Sequence, residues 1–325
     1  LPLPVRAVVP GEGGGGKFEN LPRKLIEFSA ASLSWDNGAY RDLAFQIPIA
    51  EDVITLPTPV ILPLFGGEVQ IENARLNQWQ TESPRLDGLI RFDKLFLSNL
   101  SRLVPLFPTK GSLNGFVEHV VYAGDQFEIS GRLELDVFGG KLTVFNISLR
   151  KSVGGSRLAG FDLDVEKLDL KPLMEYFNFG EMTGVISGRM RNVEVLLPPL
   201  GSGDIPLPVR LDIEIHSEGK GGSLGRETLS KIVQLGESSN VAVANLTRKK
   251  YEYSGLGFHA TLEGDNFRLI GTADGDYLIA HSKKLFANTI GIHLADSNKV
   301  LSFQDFWNRL LTQTGRFQSG SLPPP

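Results

Sequence analysis

The chain has 325 residues, 41% of them hydrophobic, and a mean hydropathy of −0.04, which is enough apolar material for a real core. Its 33 basic and 37 acidic residues leave a net charge of −4 without a basic block, arguing against nucleic acid as the main partner, and no apolar run nears the roughly 20 residues of a spanning helix. The absence of cysteine excludes disulfides, thiol nucleophiles and thiolate metal sites together.

Residues 1–16, with Leu1-Pro2-Leu3-Pro4 and then Gly13 to Gly16, read as a linker, and 316–325, ending in three prolines, read as a disordered tail. With a start at Leu1, the expectation is a segment of a longer protein. Residues 17–200 read as β-rich units, the stretch 17–60 being a partial one. Phe65-Gly66-Gly67-Glu68-Val69 returns 73 residues later as Phe138-Gly139-Gly140-Lys141-Leu142. Lys94-Leu95 returns as Lys167-Leu168 at the same offset, and Gly111-x-Leu113-x-Gly115 as Gly184-x-Ile186-x-Gly188. Three anchors in one register predict stacked repeats at about 64–136 and 137–208 that bury their apolar faces against one another.

Inside each unit the dominant signal is period two. Ile129, Gly131, Leu133, Leu135 and Val137 alternate with polar residues, as do Phe161, Leu163 and Val165, and Val209, Leu211, Ile213 and Ile215. That spacing predicts a sheet with one apolar and one charged face. The apolar parity switches at Asn73 and again at Asn146: Val69 and Ile71 give way to Ala74 and Leu76, and Leu142 and Val144 to Ile147 and Leu149. One inserted residue is a β-bulge, and bulges at regular intervals predict a curled sheet. Short helices are expected at 98–107 and 171–177, limited by Pro105 and Pro172. After residue 200 the register is lost, and 201–315 reads as a β-rich capping region. It has strands at 209–216, 257–263, 266–273, 276–281 and 289–295 and helices near 226–235 and 302–312. The last helix opens on Ser302-x-x-Asp305, which resembles a capping box, and aligns Phe303, Phe306, Trp307 and Leu310.

Chemistry-bearing patterns are sparse. His119, His216, His259, His281 and His293 show no metal-ligand spacing, and Asp162-x-Asp164-x-Glu166 is the polar half of an alternating strand without the turn of a calcium loop. Gly219-Lys220-Gly221-Gly222-Ser223 lacks the Gly-Lys-Ser/Thr ending of a phosphate loop, and no serine sits in a nucleophile elbow. Asn99, Asn146 and Asn245 begin glycosylation triplets of a kind common in any chain this long. No catalytic residue, metal site or cofactor is therefore expected. The helix from Ser302 has two readings, a membrane or partner contact through Phe303, Phe306, Trp307 and Leu310, or a cap closing the end of the sheet.

At Phe138-Gly139-Gly140-Lys141-Leu142, Leu168-Asp169-Leu170-Lys171-Pro172-Leu173 and Gly184-x-Ile186-x-Gly188-Arg189, with the same order at 65–69, 95–100 and 111–115, the chain resembles the AsmA-like superfamily of bacterial envelope proteins, including its YdbH and TamB branches. The resemblance covers roughly residues 60–195. It implies a long, groove-shaped sheet in the periplasm of a Gram-negative bacterium, anchored in the inner membrane by a segment outside this chain. It also implies conduction of phospholipids towards the outer membrane, and it carries no catalytic residue to transfer.

The expected fold is thus mainly β: an elongated, curled antiparallel sheet of 73-residue repeats with short helices and a C-terminal capping helix. Ile129, Leu133, Leu135, Leu142, Val144, Phe161, Leu163, Val165, Leu211, Ile213 and Ile215 are the candidate lining, either of an open lipid groove or of a closed core. The expected partners are phospholipids. The alternative is a scaffold for outer-membrane proteins that pairs along an exposed sheet edge.

Overall fold

Alternation of apolar and charged residues becomes strand along most of the chain. The computed structural model describes residues 6–8, 24–35, 38–49, 52–56, 59–101, 108–123, 126–152, 155–199, 206–235, 248–281, 290–293 and 300–314, with side chains from residue 52 onward except at 123, 220, 281 and 314. The first elements are β1 (Arg6–Val8), β2 (Lys24–Trp35), β3 (Gly38–Ile49), β4 (Val53–Thr55) and β5 (Val60–Leu64). There follow β6 (Gly67–Asn77), β7 (Arg85–Phe96), α1 (Leu97–Leu100), β8 (Ser112–Ala123) and β9 (Gln126–Val137). The same succession of types continues as β10 (Gly140–Lys151), β11 (Arg157–Asp169), α2 (Leu170–Tyr176), β12 (Met182–Leu197) and β13 (Leu207–Gly225). The remainder is α3 (Arg226–Leu235), β14 (Lys250–Glu263), β15 (Asn266–Gly271), β16 (Tyr277–His281), β17 (Ile292–His293), β18 (Leu301–Ser302) and α4 (Phe303–Thr314). The protein is mainly β and its sheet is curled.

Two compact units are present, one of residues 1–134 with 145–150 and one of residues 135–144 with 151–325, so the division runs through β9 and β10. In the first unit β1 to β4 pair in sequence, β4 and β5 both lie on β6, and β7 and β8 follow, all antiparallel. Arg6–Val8, inside the stretch expected as linker, pairs with Leu25 to Glu27. In the second unit β11, β12, β13 and β14 pair in order. One half of β14 then meets β15 and the other β16, with β18 on β15 and β17 on β16.

The curl has a local cause. Between Glu72 and Arg75 strand β6 advances three residues while β7 moves two, from Leu89 to Asp87, and Asn73 takes a φ of 52°. This is the bulge that the parity switch predicts, and asparagine tolerates the left-handed conformation better than most residues. Further one-residue excesses fall in β7 between Phe92 and Leu95, with Lys94 at φ 52°, and in β11 between Val165 and Leu168, with Lys167 at φ 53°. Each leaves an amide without a ladder partner, and a side chain from the neighbouring strand accepts from it: Asn114 Oδ1 from Lys94 N and Ser187 Oγ from Lys167 N, both at 2.9 Å. Left-handed residues therefore recur at a spacing of 73, Phe65, Asn73 and Lys94 matching Phe138, Asn146 and Lys167.

In the second unit, α2 is capped by Asp169, whose Oδ1 accepts from Lys171 N at 2.9 Å. α3 buries Thr228, Leu229 and Val233, and the Thr228 hydroxyl donates to the Glu181 carbonyl at 2.8 Å. The helices expected at 171–177, 226–235 and 302–312 lie at Leu170–Tyr176, Arg226–Leu235 and Phe303–Thr314. Of the stretch 98–107, Leu97–Leu100 is helical and 102–107 lies outside the described residues, as does the triplet at Asn245. The strand expected at 209–216 runs on to Gly225. Gly221 and Gly222 sit so close to the backbones of Tyr253 and Thr183 that a Cβ would lie 2.1 and 1.8 Å from their carbonyl oxygens. Those glycines serve strand contact.

Candidate functional site

The registers turn the alternating patterns into rows that cross strands, because directly paired residues in an antiparallel ladder share a face. In the second unit one row runs Leu163, Met190, Ile213, Ala260, Leu269 from β11 to β15. A second runs Val165, Gly188, Ile215, Phe258, Gly271, and a third Leu211, Leu262, Phe267. Polar rows interleave with these on the other face: Asp164, Arg189, Glu214, His259 and Arg191, Asp212, Thr261, Arg268. Arg189 meets Glu214 at 2.7 Å, Arg191 meets Asp164 at 2.5 Å and His259 meets Asp212 at 2.8 Å. These pairs are exposed or half-exposed, so each contributes roughly 0–1 kcal/mol and marks the water side of the sheet.

Bulges keep the faces in phase. Across the excess at Asn192 in β12, Val193 is buried and half-buried Met190 faces Leu163, and Asn192 N donates to Asp162 Oδ1 at 2.8 Å. Gly188 faces Ile215 because a Cβ there would stand 2.8 Å from the Ile215 side-chain tip and 2.1 Å from the Glu214 carbonyl. The first unit has its own rows, Leu62, Val69, Phe92, Gly115 and Val60, Ile71, Ile90, Val117. Past the bulge at Asn73 the β6–β7 part of these rows is continued by Leu76 and Leu86. The parity change in sequence thus preserves one apolar face in space.

Burial divides the residues expected as lining. Leu135, Val165 and Ile215 are buried, while Ile129, Leu133, Leu142, Val144, Phe161, Leu163, Leu211 and Ile213 are half-buried and keep part of their surface in solvent. The rows bring Leu163 with Ile213, and Val165 with Ile215, into shared lines. Met190 and Leu269 extend the first line and Phe258 the second, Leu262 joins Leu211 in the third row, and none of these four was singled out by sequence. The sequence signal that could have found Met190 is the alternation Ile186-x-Gly188-x-Met190.

Of the terminal-helix residues, Phe303 is buried and Phe306 and Trp307 are half-buried against a cluster of Ala260, Leu262 and Phe267, joined by Leu211, Ile213, Phe258 and Leu269. Phe267 lies 5.6 Å from Phe303 and 4.7 Å from Phe306 between ring centres, and Trp307 stacks on Phe303 at 5.7 Å. Three of the four thus pack onto the apolar face of their own sheet. Leu310 is half-buried.

A depression of about 720 Å³ opens on the polar side among Arg210, Asp212, Thr261, Glu263 and Arg268. Charges of both signs line most of it, and of the apolar rows only Leu211 and Leu262 reach it, so the candidate site is the face that carries the rows through Leu163 and Val165. Among the described residues no three His, Asp or Glu side chains gather as a metal site, and no helix is long and apolar enough to cross a membrane. Comparison with family models, with curated proteins and with solved structures found no match.

Proposed function

We propose that this chain holds the acyl chains of phospholipids on the apolar face of its curled sheet and lets them move along it between the two membranes of a Gram-negative envelope. The observation that carries the reading is the set of apolar rows running strand to strand, half-exposed at Phe161, Leu163 and Met190, back to back with charged rows. An aliphatic chain gains about 0.8 kcal/mol for each CH₂ withdrawn from water, with little dependence on which aliphatic residue it touches. Successive positions along such rows are therefore similar in energy, and movement needs no chemical step. The matched elements and left-handed residues at a spacing of 73 support a surface extended by repetition, in the manner of the AsmA-like proteins that the sequence resembles.

The test is mass spectrometry of organic extracts from the detergent-free chain, with an unrelated protein as blank. Phospholipid near one equivalent per chain is expected, and its loss in Leu163→Glu and Met190→Glu variants that keep their circular dichroism. A clean extract from the parent chain overturns the reading. Crosslinks to a protein partner along a sheet edge would then favour the scaffold.

A further inference from the structure

The apolar face of the second unit does not end where it stops being exposed. The row that begins at half-buried Leu163 and Met190 continues through Ile213 and Ala260 to Leu269, and its later members lie under α4. We propose that the strip beneath α4 is a further binding stretch for an aliphatic chain, with α4 as its intramolecular occupant. The inference rests on the acyl-chain reading above and adds the place where the bound chain meets a displaceable wall.

Three features support it. The body of α4 meets the sheet through Phe303, Phe306 and Trp307, carbon against carbon, so the groups it covers are those an acyl chain would cover. Its fastenings sit at its two ends and differ in kind. At the start, β18 pairs with β15, Phe303 N donates to the Asp265 carbonyl at 3.0 Å and Gln304 N to Asp265 Oδ1 at 2.9 Å. At the far end, Arg309 Nη1 donates to the Leu235 carbonyl at 3.3 Å and Gln313 Nε2 to Gln234 Oε1 at 2.7 Å, the latter pair exposed. That asymmetry makes Ser302 the hinge and the α3 contact the catch. Finally, a helix of 12 residues is marginal in water by itself, so α4 is held in place by its docking, and a ligand of similar apolar area covers the strip that the helix leaves, with the exposure of Phe303, Phe306 and Trp307 as the cost of the exchange.

The chain contains no cysteine, so a Gln234→Cys, Gln313→Cys variant joined by a short bis-maleimide locks the catch selectively. The probe is palmitate carrying a photoactivatable diazirine at its chain end, with adducts mapped by peptide mass spectrometry. Unlocked, adducts are expected both at Leu163 and Met190 and at Ile213, Phe258 and Leu269. Locked, the second set is expected to fall about tenfold while the first is unchanged, and Arg309→Ala with Gln313→Ala, which removes the catch, is expected to raise it. Equal labelling of the covered set in locked and unlocked chains overturns the proposal, as does labelling confined to Leu163 and Met190 in both. Absence of adducts everywhere overturns the acyl-chain reading itself, and this inference with it.

Discussion

Tyr253 is 1% exposed, and its hydroxyl donates to the Thr183 carbonyl at 2.7 Å. Burial pushes its phenol from the ordinary 10.0 up to about 12. Because the folded state holds the proton more tightly, this contribution to stability is complete below pH 10 and is lost as the pH rises through about 12. Tyr253→Phe is expected to flatten that alkaline loss and to cost about 1 kcal/mol near neutrality, since the Thr183 carbonyl loses its donor. Urea unfolding at neutral and alkaline pH measures both, and an unchanged alkaline slope would show that another group governs it. Gly140 makes a second residue-scale case: a Cβ there would lie 2.4 Å from the Glu166 carbonyl, so Gly140→Ala is expected to cost about 1–3 kcal/mol in the same assay. The paired glycines were visible in sequence. Their reason, contact with a strand some 26 residues further on, was not.

Among the elements, α4 separates what is local from what is not. Its helical period and its start were legible, and Ser302 does cap it, with Asp305 N donating to Ser302 Oγ at 3.3 Å. The stronger cap was hidden, because Asp265 belongs to the turn between β14 and β15 and reaches Gln304 N at 2.9 Å. Asp265→Ala is expected to speed amide exchange at Gln304 and Asp305 by an amount equivalent to about 1 kcal/mol, leaving β11 to β13 unchanged. Faster exchange throughout β13 would mean that the cap supports the whole sheet. The bulges show the same division. Asn73 and Lys167 both sit at a parity switch, Val165 giving way to Leu168 and Leu170 at the second, but that Ser187 accepts the Lys167 amide is visible only in the structure.

For the molecule as a whole, the separation of apolar and charged rows onto opposite faces is the property with functional consequence. If carbon contacts hold the ligand, phospholipid loading is expected to stay within about twofold between low salt and roughly 1 M NaCl, since screening acts on charges and not on apolar burial. A steep fall, read by the same extraction, would assign the affinity to head groups at the charged rows.

Composition and period two by themselves determined the class of structure, the two-faced character of its strands and the bulge at Asn73, and helical spacing with its caps and prolines determined the helices after residue 170. Each of these is a property of neighbours along the chain. Tertiary structure alone decided which strands pair, and hence that Leu163, Met190, Ile213, Ala260 and Leu269 form one line. It also decided that Phe303, Phe306 and Trp307 settle on their own sheet. The physical reason is that register and docking depend on residues tens of positions apart, whose complementarity is expressed only when the chain brings them together.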